Sequence, residues 1–138
     1  MQSKTDDLTK VLNRRGFEDL GQKSIDIALE MDNEGMIFFI DMDGLKKIND
    51  TYGHSMGDKA IQAQAQVLKK ALRSNDVIGR VGGDEFVAIT IGMKPESLPK
   101  IRTKIEKLNE TIYEKKRLPF TLSCSIGAIP FCKKNKDL

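Results

Sequence analysis

Tryptophan is absent from the 138 residues, histidine occurs once, proline four times and cysteine twice. No metal-ligand spacing surrounds the two cysteines, Cys124 and Cys132, which excludes a cysteine-rich zinc site, and reduced cytosolic thiols are expected. Cys124 falls in a stretch that reads as a buried strand, where a thiol acts as a small hydrophobe. Neither sign of charge is in excess: 23 basic residues against 20 acidic leave a net +3. That is too mild for a polyanion such as DNA, so no nucleic-acid partner is expected. Basic residues bunch only at Lys115-Lys116-Arg117 and Lys133-Lys134-Asn135-Lys136, which read as solvated surface. The longest apolar run, Met36 to Ile40, is far short of the roughly 20 residues that cross a bilayer. The expected location is the cytoplasm, with membrane attachment only through segments outside this sequence. Internal repeats and low-complexity tracts are also missing.

What is present suits one domain with a sound core: 39% hydrophobic and 31% charged residues. Asn13 is a fitting N-cap for a helix with Phe17, Leu20, Ile27 and Met31 along its inner face. Met36 to Asp41 reads as a buried central strand that ends in an acid, and Met31, Met36 and Met56 as core or core-edge fill. Leu45, Ile48 and Tyr52 suggest a short helix. A longer one follows Gly57, with Ala60, Ile61, Gln64, Val67, Leu68, Ala71 and Leu72 facing inward. Val77 to Val81 and Phe86 to Ile91 flank Gly82-Gly83-Asp84-Glu85, a hairpin in which the glycines are free to take positive φ. Pro95 opens a helix striped by Leu98, Ile101, Ile105, Leu108 and Ile112, and Phe120 to Ile129 reads as a last strand. This order predicts an α+β fold, ferredoxin-like or palm-like, with a mostly antiparallel central sheet and helices packed on it.

Asp41 and Asp43 stand where the first strand emerges, and residues two apart in extended chain face the same side. A carboxylate at the end of an apolar strand is costly unless it reaches solvent or a cation. If the hairpin lies beside that strand, Asp41 and Asp84 converge on one hard cation, and magnesium prefers such oxygen ligands. Polyphosphate chemistry suits an acidic cluster of this kind. Taken singly, each acidic pair is better read as structural, Asp41 capping a helix and Asp84-Glu85 filling a polar turn. A helix starting after Asp43 offers free N–H groups to a phosphate, and Lys46 a point charge. Asn49 and Asp58 carry donors and acceptors that could match a guanine edge.

Four blocks together resemble the GGDEF domain family of bacterial diguanylate cyclases, over nearly the whole chain. Asp6-Asp7-Leu8-Thr9 with Leu12-Asn13-Arg14-Arg15 is similar to the family's opening block, Lys10-Val11 replacing its usual Gly-Leu. Asp41-Met42-Asp43 through Asp58 resembles its second block, Arg80-Val81-Gly82-Gly83-Asp84-Glu85-Phe86 contains its signature, and Ser123-Cys124-Ser125-Ile126-Gly127 is similar to its late strand.

The resemblance implies a nucleotide-cyclase-type fold and the condensation of two GTP into cyclic di-GMP and two pyrophosphates with magnesium, or manganese, as cofactor. Asp41, the Met42 carbonyl, Asp84 and Glu85 would hold the metal, with Glu85 alternatively helping to remove a hydroxyl proton. Asn49 and Asp58 would hold guanine, while Lys46, the amides of Gly44 and Leu45, and the Gly82-Gly83 pair would take the phosphates. Two copies would face each other, so a regulated homodimer is implied. Read alone, Arg73 and Asp76 are better explained as an Arg at a helix end followed by a turn Asp, but within the family they resemble the inhibitory product motif, which the resemblance favours. Where Gly44 stands, most members carry a bulky residue. The sequence also stops before the family's C-terminal helix, which suggests part of a longer regulated protein. A catalytically silent module that binds GTP or cyclic di-GMP is the alternative. His54 is expected to be structural.

Overall fold

The computed structural model describes residues 3–133, so Lys134, Asn135 and Lys136 of the last basic cluster lie outside it. Asn13 caps α1 (Arg14–Glu30), its side chain accepting from Gly16 N. There follow β1 (Gly35–Met42), α2 (Leu45–Tyr52) and α3 (His54–Ala71). Next come the hairpin strands β2 (Val77–Arg80) and β3 (Glu85–Ile91), a 3-10 turn at Pro95–Ser97, α4 (Leu98–Lys116) and β4 (Cys124–Phe131). The strands form one antiparallel sheet in the order β2-β3-β1-β4, as the α+β expectation requires.

The strand period of two divides this sheet into faces. Met36, Phe38, Ile40 and Met42 of β1 point with Phe86 and Ala88 of β3 into the main core. There they meet Ala60, Ile61, Val67, Leu68 and Ala71 of α3 and Ile105 and Ile112 of α4. Burying one such large side chain contributes about 2 kcal/mol. The expected inner face of α3 is buried throughout, Gln64 included, and Gln64 donates to Asn109 Oδ1 of α4 at 3.1 Å.

Four expectations need correction. Leu20 and Ile27 of α1 and Met31, which caps its C-terminus, are exposed, at 48%, 57% and 69%. The helix instead sits on β2 and β3 through Gly21, Ala28 and Leu29, with Phe17 packed against them. Close approach explains this, since a Cβ on Gly21 would press into Ile89 Cδ1. Helix α3 starts at His54, before Gly57, because Gly53 at φ 93 both ends α2 and opens α3. Strand β4 starts at Cys124 rather than Phe120, since Tyr52 holds the preceding loop by an O–H bond to Pro119 O and a ring contact with Phe120. Gly82 and Gly83 do not take positive φ, which is confined among glycines to Gly44, Gly53 and Gly92.

Candidate active site

Register brings the acids together. Asp41 of β1 lies directly opposite Glu85 of β3, and the Met42 N–H donates to Asp84 O at 2.9 Å. One carboxylate oxygen each from Asp41, Asp84 and Glu85 falls within 4.8 Å of the others. Like charges directly opposite on paired strands repel, and among the described residues no salt bridge relieves these three. Such an all-oxygen, cation-free set fits a hard divalent ion.

Asp43 is not in that cluster. Both acids emerge to solvent, but they diverge laterally, Asp41 toward β3 and Asp43 toward β4. There Ser123 Oγ donates to Asp43 Oδ2 at 2.7 Å and Ser125 Oγ to Oδ1 at 2.9 Å.

The segment after β1 supplies the neighbouring surface. Gly44 takes φ 70, a conformation that favours glycine, and caps α2 without a side chain. The first-turn N–H groups therefore keep the positive end of the helix open, with Lys46 exposed beside them. A Cβ on Gly44 would meet nothing within 4 Å. Asn49 is half-buried near the end of α2 and its Oδ1 lies against Gly57, where a Cβ would collide with it. The Gly53 joint thus brings Asn49 beside Asp58, the exposed residue after Gly57. His54 is exposed at the start of α3.

The hairpin turn that carries Asp84 is pinned from two sides. Arg80 donates through Nε and Nη2 to Gly83 O at 3.2 and 2.9 Å, and its Nη1 lies 3.3 Å from Asp6 Oδ1. Arg14 Nη2 donates to Val81 O at 2.8 Å. Gly82 makes room for Glu85, because a Cβ there would press on Glu85 Oε1. The four blocks contain Asp6, Arg14 and Arg80, but the sequence reading assigned them no role. The available signal was the Asp6–Thr9 spacing, where Thr9 N and Oγ1 both donate to Asp6 Oδ2.

Burial alone would raise the Asp6 carboxyl, but the Thr9 hydroxyl and N–H and the Arg80 guanidinium outweigh it and hold the group below its usual range. Asp6 therefore stabilises the fold fully above about pH 4, and this contribution is lost as pH falls through the folded-state value. Replacing Arg80 by Ala should cost about 2 kcal/mol in chemical denaturation at neutral pH. The gap to wild type should narrow on acidification below about pH 4.

Arg73 is exposed, whereas Asp76 is committed to its turn: Oδ2 accepts from Arg73 N at 2.8 Å and Oδ1 is buried without a partner. Burial raises the Asp76 carboxyl against the pull of the Arg73 N–H and charge. A cleft of about 500 Å³ beside them is lined by Lys10, Leu20, Lys69 and Arg73. Cys124 is half-buried and its thiol is pushed up to about 11 by burial, which makes it inert. Among the described residues no helix is long and apolar enough to cross a membrane.

The family described as "Diguanylate cyclase, GGDEF domain" matches residues 3–138. Probable diguanylate cyclase DgcC of Escherichia coli (strain K12) is 36% identical over 130 residues, 94% of this chain and 35% of DgcC. The bifunctional diguanylate cyclase/cyclic di-GMP phosphodiesterase MucR of Pseudomonas aeruginosa is 34% identical over 122 residues, covering 88% of this chain and 18% of MucR. The chain thus spans about a third or less of the length of these relatives. The solved GGDEF domain of TpbB (YfiN) from Pseudomonas aeruginosa superposes with a TM-score of 0.80 at 29% identity, over 92% of this chain and 75% of that one. The GGDEF domain of DgcB from Caulobacter crescentus, solved in complex with c-di-GMP, shares the fold with a TM-score of 0.81 at 23% identity, over 98% and 81% of the two chains. With a match from residue 3 to residue 138 and the acids gathered on the signature hairpin, the chain belongs to the GGDEF diguanylate cyclase family.

Proposed function

We propose that this domain condenses two GTP molecules into cyclic di-GMP and two pyrophosphates, with one nucleotide held by each of two opposed copies. The observation that carries this is the convergence of the Asp41, Asp84 and Glu85 carboxylates beside the open N-terminus of α2. Asp41, Asp84, Glu85 and the Met42 carbonyl are the groups that would hold magnesium or manganese. The ion would supply neutralisation of triphosphate charge.

The remaining work falls to the chain. Asn49 and Asp58 take the guanine edge, while Lys46 and the Gly44 and Leu45 amides take phosphate oxygens. Gly82 and Gly83 let the triphosphate lie along the hairpin. Each 3′-oxygen then bonds to the α-phosphorus of the other nucleotide, the bond from that phosphorus to the bridging oxygen breaks, and pyrophosphate leaves. The hydroxyl proton passes to solvent or, where Glu85 serves as base in place of holding the metal, to the Glu85 carboxylate. Placement and charge neutralisation supply most of the acceleration in such transfers.

The test is incubation of concentrated protein with GTP and magnesium, with separation of the products. Cyclic di-GMP is expected. GTP binding without any product would instead support the silent module. Gly57→Ala should displace Asn49 and lower the preference for GTP over ATP about tenfold, read by competitive binding. Cyclic di-GMP is also proposed as an inhibitor in the cleft at Arg73, where an exposed guanidinium and Lys10 and Lys69 offer positive charge to its phosphates. Arg73→Ala should remove inhibition by added product and spare GTP binding, and an unchanged inhibition curve would dismiss that site.

A further inference from the structure

We propose that Asp43 is a positioning residue, a clamp that uses Ser123 and Ser125 to hold the acid cluster and the phosphate seat at a fixed separation. The idea rests on the cyclase function proposed above and adds a role for an acid outside the metal set.

Three hydrogen bonds converge on this one residue. Ser123 Oγ and Ser125 Oγ donate to its two carboxylate oxygens at 2.7 and 2.9 Å, and its N–H donates to Ser123 O at 3.0 Å. Both serines present from the same side because alternate residues of extended chain do so. Hydroxyl donors also engage both carboxylate oxygens, which leaves Asp43 poorly placed to compete for a cation. Its location gives the clamp its purpose. Asp41 and Met42 precede it, and Gly44, whose left-handed turn starts α2, follows it. Gly44 has no side chain to cap the helix, so the direction of the first turn depends on what anchors the residue before it. Strand β4 is that anchor: it pairs with β1 from Gly35 through Met42, with Asp41 opposite Ser125 and Met42 opposite Cys124.

Four proteins test this: wild type, Asp43→Ala, the double variant Ser123→Ala/Ser125→Ala, and Asp43→Asn. Each is measured for turnover with GTP and magnesium, and for GTP affinity with magnesium and with EDTA. Asp43→Ala and the double serine variant should each lower kcat about 10- to 100-fold and shrink the magnesium-dependent gain in GTP affinity, with metal-free affinity changing less than about threefold. Asp43→Asn should recover most of both readouts, because its amide accepts from one hydroxyl and donates to the other. If Asp43 were a metal ligand, Asp43→Asn would fail as badly as Asp43→Ala and the serine variant would be silent, which overturns the clamp. Parallel loss of metal-free affinity in all variants would show general disruption and overturn it too, as would wild-type behaviour throughout. Wild-type protein that binds GTP but yields no product refutes the cyclase function alone, since the magnesium-dependent gain still reads the clamp. Wild-type protein that binds no GTP removes both.

Discussion

Asp84→Ala is expected to abolish product formation, lowering turnover about a thousandfold or more at saturating GTP. The residue clusters with Asp41 and Glu85 from a turn fastened to β1 and braced by Arg80 and Arg14. Its removal deletes one-third of the carboxylates while leaving the hairpin backbone in place. A second readout separates chemistry from folding. Three acids within 4.8 Å repel one another when no cation is bound, so the variant should melt higher than wild type in EDTA. In magnesium the order should reverse, because wild type gains stability from the ion by mass action and the variant gains little. A variant that keeps its turnover, or that melts with the same magnesium response as wild type, would show that the acids do not act on a shared ion.

The second large effect concerns concentration. If, as proposed, each domain positions one of the two nucleotides that the product joins, turnover per domain should fall about tenfold for each tenfold dilution once most of the protein is monomeric. Two copies joined by a flexible linker should resist this decline, because the linker holds the second site at an effective concentration near millimolar. Per-domain turnover that stays constant down to concentrations where light scattering finds only monomers would refute the facing-pair arrangement.

How much of this could be read before the fold was seen depends on the residue. Ala60, Ile61, Val67, Leu68 and Ala71 were legible because α3 packs large apolar groups at helical spacing against a sheet. Helix α1 misled for the opposite reason. Its contact is made partly by Gly21 and Ala28, so its most hydrophobic stripe, Leu20, Ile27 and Met31, points to solvent. The convergence of Asp41 with Asp84 and Glu85 was legible from the motif order, but the Asp41–Glu85 register depends on tertiary pairing that no local pattern encodes. Asp43 was grouped with Asp41 by strand alternation. That rule fixes the shared face but not the lateral direction, which for Asp43 is set by Ser123 and Ser125 after β1 stops at Met42. The Arg80 brace was invisible because its carboxylate partner, Asp6, is remote in sequence and belongs to no regular element.

The pairing of β1 with β3 also guards its own assembly. Sliding β1 by a single residue would drive Asp41 into the layer now filled by Ile40 and Met42 and expel those side chains to water. During folding, then, the Asp41 charge penalises every slip of the central strands by an odd number of residues, so proofreading of the sheet comes from the same atom group to which the proposed chemistry is assigned.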